Sequence, residues 1–92
     1  MEEQRIERTL VREVKKRGGL ALKFVSPGFR GVPDRILLAP EGRIAFAEVK
    51  APGKKPRPLQ IKISKMIKSL GFEVYVIDSD AGVDKMIQEI FG

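Results

Sequence analysis

The chain contains no cysteine and no histidine. Those two absences remove disulfides, thiolate and imidazole metal sites, cysteine nucleophiles and every histidine-based triad. Any catalysis must run on carboxylates, lysine, tyrosine, hydroxyls or a metal held by oxygen. Also missing is an apolar run approaching a membrane span or a signal-peptide core, because the opening stretch MEEQRIERTLVREVKK is charged throughout. An intracellular, cytoplasmic location without a membrane partner is expected. There is no repeat, low-complexity tract or linker, and 92 residues are too few for two cores, so residues 1–92 are expected to form one domain.

What is present fits a folded chain. Apolar residues make up 42% and charged residues 33%, a globular balance rather than a disordered one. Eighteen Lys and Arg against twelve Asp and Glu give a net charge of +6, which directs attention to a polyanionic partner such as nucleic acid.

Apolar Ile6, Leu10, Val11 and Val14 recur with helical spacing, so residues 2–17 are expected to be helical, ended by Gly18-Gly19. Glu7 joins the series 7, 10, 11, 14 and borders that stripe. Residues 20–26 are strand-like and run into the turn-rich SPGFRGVP. Strands are expected over 34–39 and 43–50, joined by a turn at Pro40-Glu41-Gly42. The basic loop APGKKPRP precedes a helix with Leu59, Ile63, Met66, Ile67 and Leu70 on one stripe. A strand over 72–78 follows, then a last helix capped by Ser79 or Asp80. The order α-β-β-β-α-β-α contains a crossover that makes the third and fourth strands parallel, giving an α/β fold with a mixed sheet flanked by helices.

The hairpin carries the chemistry. A turn centred on Glu41 opposes residues whose numbers sum to 82, which sets Asp34 against Glu48 on the same face. Alternation sends Ile44, Phe46, Glu48 and Lys50 to that face and Ala45, Ala47 and Val49 to the other. Opposed carboxylates repel, and a divalent ion bound by Asp34, Glu48 and the Val49 carbonyl resolves the conflict; all-oxygen ligands suit Mg²⁺ or Mn²⁺. Taken singly, Asp34 reads equally as a turn residue, and Glu48 with Lys50 as a solvated strand end. Their joint placement favours a site.

Glu7 either supplies a further carboxylate or is tied to a surface cation, and Gln60 either orients a water or phosphate or is a boundary residue. Arg30, Arg35, Lys54, Lys55 and Arg57 surround the site, with Lys62, Lys65 and Lys68 along the second helix; they suit phosphate contact or a solvated face. Phe29 fits a loop anchor better than a base-stacking wedge.

Glu7, Pro33-Asp34, Glu48-Val49-Lys50 and Gln60, in that order, resemble the PD-(D/E)XK nuclease superfamily. More closely, GGLALKFVSPGFRGVPDRILL followed by IAFAEVKAPGKKPRPLQ resembles the stand-alone VRR-NUC domain proteins of phages and bacteria. The resemblance implies a restriction-endonuclease-like αβββαβ core and a metal-dependent nuclease. In it Asp34 and Glu48 bind Mg²⁺ or Mn²⁺ with help from Glu7, Lys50 is the catalytic lysine, and Gln60 is a supporting polar residue. Lys23 occupies a position where the family usually carries lysine and is grouped with the nucleic-acid-facing cations. A homodimer acting on branched DNA such as Holliday junctions is implied too, with no organic cofactor. Two other readings compete: a non-catalytic nucleic-acid-binding module, which would bind in a salt-sensitive way without cleavage, and a nuclease-like subunit of a larger repair or helicase assembly. Retention of the whole acid and lysine set argues against a pure binder.

Overall fold

The computed structural model describes residues 2–92. Helix α1 (Glu2–Lys16) leads to strand β1 (Leu20–Lys23), the hairpin β2 (Arg35–Ala39) and β3 (Arg43–Val49), helix α2 (Pro58–Ser69), strand β4 (Glu73–Ile77) and helix α3 (Asp80–Phe91). The sheet runs β1-β2-β3-β4, antiparallel except for the parallel β3–β4 pair. Among the described residues no helix is long and apolar enough to cross a membrane.

Alternation decides which helix covers which face. Leu37, Ala45, Ala47, Val49 and Ile77 point to one side, where Ile6, Leu10 and Val14 of α1 and Val83, Met86, Ile87 and Ile90 of α3 close a single buried cluster. Small Ala45 and Ala47 keep that face shallow, so two helices share it. The other face carries Phe24, Phe46 and Phe72, packed in a row with ring centroids 5.7 and 5.9 Å apart, the first pair tilted and the second edge to face, and receives Ile63 of α2.

β1 is three residues shorter than the expected strand over 20–26. Phe24 still donates its amide to the Asp34 carbonyl at 2.9 Å, but Pro27 cannot donate to a ladder and Val25 turns outward at 74% exposure. The last helix is capped by Ser79 rather than Asp80, with the Ser79 hydroxyl accepting from the Gly82 amide at 3.0 Å.

The turn and one loop position the site. β2 and β3 pair Ala39 with Arg43 and Arg35 with Ala47, so opposed numbers sum to 82 as expected from an apex at Glu41. Glu41 sits in the left-handed region (φ 69°), unfavourable for a residue with a Cβ. Gly31, also left-handed (φ +88°), lies so close to α2 that a Cβ there would meet Leu59 Cγ at 2.9 Å and Ile63 Cγ1 at 3.0 Å. The loop therefore packs onto the first turns of α2 and delivers Pro33-Asp34 to the end of the hairpin.

Candidate active site

Asp34 lies one step before β2, where the register carries it opposite Glu48. Its Oδ2 accepts the Val49 amide at 2.8 Å. Glu48 is the penultimate residue of β3 and is 3% exposed. Its Oε2 receives Lys50 Nζ at 3.2 Å and Gln60 Nε2 at 2.6 Å. Gln60 is itself held at its other end, since its Oε1 accepts the Arg57 amide at 2.8 Å and so caps the start of α2. One amide side chain thus ties the start of α2 to a buried acid on β3.

The electrostatics are those of two crowded acids. Burial pushes the Asp34 carboxyl above the ordinary aspartate range; the Val49 amide opposes this and the charge of Glu7 adds to it. Burial likewise raises Glu48, with Asp34 the next cause and Lys50 pulling the other way. Lys50 supplies one positive charge against the two acids, and the amide on Oδ2 leaves Asp34 Oδ1 for a ligand. The donor set of two desolvated carboxylates with one cation fits a small oxygen-seeking divalent ion.

Glu7 stands differently from Asp34 and Glu48. Its Oε2 accepts Arg35 Nε at 2.8 Å, and Arg35 Nη1 also donates to the Ala21 carbonyl at 3.0 Å. Among the described residues no three acids gather closely enough to make a ready metal cage. Arg35, grouped by sequence with the phosphate-facing cations, is committed to Glu7 and half-buried. Strand parity held the signal for this pair, because Arg35 alternates with Asp34 and so faces α1.

Lys23 ends β1 and is exposed, directly opposed to Arg35 across the ladder. Arg30, Lys54, Lys55 and Arg57 are exposed on the two loops that lead to Asp34 and to α2. Phe29 is not a buried anchor: it lines an apolar hollow with Phe24, Phe46 and Ile63 but stays 47% exposed. Its loop faces α2's half-open apolar stripe rather than the core.

A hairpin that brings two acids and a lysine together at one end of the two central strands of a mixed sheet, with helices on both faces, defines a nuclease of the restriction-endonuclease-like class. Residues 4–81 match the VRR-NUC domain family, and the chain belongs to that family. It is 54% identical over 77 residues, 84% of this chain and 83% of the relative, to "Putative nuclease p44" of Acyrthosiphon pisum secondary endosymbiont phage 1. A solved VRR_NUC domain superposes with a TM-score of 0.91 at 32% identity, covering 96% of each chain.

Proposed function

We propose that this chain is a metal-dependent, structure-selective DNA endonuclease that hydrolyses phosphodiester bonds in branched DNA such as Holliday junctions. It works inside the cell as a homodimer with Mg²⁺ or Mn²⁺. The observation that carries this reading is the convergence of Asp34, Glu48 and Lys50, two acids pushed up by burial, Glu48 further by Asp34, beside one lysine.

Asp34, Glu48 and the Val49 carbonyl would hold the ion, with Glu7 nearby. When bound, the ion supplies charge neutralisation at the scissile phosphate and a lowered pKa for the attacking water. The chain's own residues do the rest. Lys50 Nζ, resting on Glu48, orients the water or stabilises the developing negative charge on the phosphoryl oxygens. Gln60 fixes the Glu48 rotamer from behind, and the exposed cations of the two loops receive flanking phosphates.

Support for the homodimer comes from the sheet face that α2 leaves open. The register aligns Leu20, Leu38 and Ile44 in one row and Leu22, Ile36 and Phe46 in the next, and Leu20, Leu22 and Ile44 remain 52%, 46% and 45% exposed. An uncharged apolar surface of this kind is a docking face, and a second copy covers it symmetrically.

The test is cleavage of labelled four-way junctions, flaps and linear duplexes with each metal, beside Asp34→Ala and Lys50→Ala and a solution-mass measurement. Metal-dependent cleavage of junctions by a particle of twice the chain mass, lost in both variants, is expected. Undiminished cleavage by both variants, or salt-sensitive binding with no cleavage under any metal, would overturn the reading.

A further inference from the structure

The cations of α1, with Arg17 just after it, fall into two populations. Arg5 is paired with Glu2 at 2.7 Å and Asp80 at 3.0 Å, and Lys16 and Arg17 share Glu13 at 3.4 and 3.1 Å. Arg8, Arg12 and Lys15 instead line a groove of about 630 Å³ with Glu7, Val11 and Arg35. Among the described residues Arg8 and Lys15 make no ion pair, and Arg12 has only an exposed 3.7 Å approach to Glu13.

Placed at i, i+4 and i+7, these three cations share one stripe and repel one another. The helix has acids enough to neutralise its other cations, yet this stripe is left positive. The one acid in the groove, Glu7, is already neutralised by Arg35. Lys23 leaves the sheet on the same face as Arg35, its ladder partner, and extends the positive surface toward β1. An anion in the groove would relieve the repulsion, and Val11 offers an apolar floor for sugar edges.

We propose that Arg8, Arg12 and Lys15, continued by Lys23, form a phosphate track that carries one strand of the nucleic acid away from Asp34 and Glu48 along the outer side of α1. The proposal rests on the nuclease reading for the identity of the polyanion. The track matches it in scale: the stripe covers about 10.5 Å of helix axis at 1.5 Å per residue, roughly the rise of three nucleotides.

The test uses the Asp34→Asn protein, so that binding is read without cleavage, titrated into fluorescein-labelled duplex and single strand over a series of KCl concentrations. Three forms are compared: that protein alone, with Arg8→Gln/Arg12→Gln/Lys15→Gln, and with the charge-matched set Lys16→Gln/Arg43→Gln/Lys85→Gln. The track predicts that the groove set flattens the slope of log K against log [KCl] by about 2 to 3, at ~0.9 per duplex phosphate or ~0.7 per single-strand phosphate. It also predicts at least a tenfold weaker affinity near 0.1 M salt, with the charge-matched set changing the slope by less than about 1. Arg8→Lys/Arg12→Lys, which keeps both charges, should retain the slope and so separates loss of charge from loss of fold. Equal slopes for the groove set and the charge-matched set would overturn the track alone. Failure of the Asp34→Asn protein to bind either strand form, with no cleavage by the native chain, would overturn the nuclease reading and the track with it.

Discussion

Replacing Asp34 with Asn should abolish cleavage and at the same time stabilise the metal-free protein. Burial is the largest cause of the Asp34 rise. Beside it, an opposed pair with Cβ atoms about 5 Å apart would repel, for carboxylates at a similar separation, by roughly 3 kcal/mol at an effective dielectric near 20. Attraction of Asp34 to Lys50 offsets part of that, and the Val49 amide loses the charge on its acceptor, worth about 1 kcal/mol. The raised Asp34 carboxyl fixes the sign of what remains, because it means that the ionised form is less favourable in the fold than in the unfolded chain. A net gain of about 1 kcal/mol is expected, which in a domain of this size lifts Tm by about 4–8 °C. For an acid whose native pKa is raised, the stabilising effect of its protonated form is complete at low pH and disappears as pH climbs through the native value. The variant, which cannot ionise there, should therefore pull ahead of the native protein from the carboxylate range upward and hold its lead at neutral pH. Added Mg²⁺ or Mn²⁺ should reverse the order, since the native protein gains about 1.4 kcal/mol at ten times the dissociation constant and the variant gains less. Scanning calorimetry from pH 4 to pH 8, with chelator and with each metal, reads all of this. A variant less stable than the native protein in chelator at neutral pH, or a lead that does not grow with pH, would refute the reasoning.

Gln60→Ala removes both the hold on Glu48 and the acceptor for the Arg57 amide, so it should cost about 1–2 kcal/mol in denaturant unfolding. Because Gln60 acts through Glu48, kcat should fall about 10- to 100-fold with little change in KM. Tyr75 is the only tyrosine and there is no tryptophan, so absorbance at 295 nm reads it alone; burial and its hydrogen bond to Glu89 at 3.1 Å push its hydroxyl up to about 12. Its native titration should lie well above that of the urea-unfolded chain, with stability lost as pH rises between the two values. Glu41→Gly relieves the left-handed strain at the hairpin apex and should raise Tm by a few degrees, about 0.5–1 kcal/mol, without changing cleavage. A destabilised Glu41→Gly protein would mean that the side chain holds the turn.

The hairpin was legible because two local rules fix it together. Alternation with period 2 assigns faces, and a three-residue turn assigns register, so Asp34 against Glu48 follows from residues 34–50 alone. The parallel crossover was legible for a similar reason, since a helix of one dozen residues between two strands leaves few other connections. The contacts that refine the site were harder to see because they join separate elements. Glu48 meets Gln60 only once Gly31 has let the loop press on α2. Glu7 and Arg35 are 28 residues apart, and their pairing depends on how α1 lies against β1.

That pairing also changes what Glu7 can be. Helical phase alone leaves it equally suited to a metal or to a surface cation, whereas the fold gives its carboxylate to an arginine that is in turn held by the Ala21 carbonyl. Its charge still adds to the rise of Asp34, but a carboxylate already bonded to an arginine is less free to turn toward an ion. Its stronger consequence is mechanical: one ion pair fastens α1 to β2 near the two acids, and so fixes where the unpaired cations of α1 stand relative to them. Arg35→Lys, which keeps the charge but loses the second donor to Ala21, should therefore weaken nucleic-acid binding along α1 more than it alters metal affinity. Isothermal titration with Mn²⁺ beside a strand-binding titration separates the two, and a loss confined to metal affinity would return Glu7 to the role of a ligand.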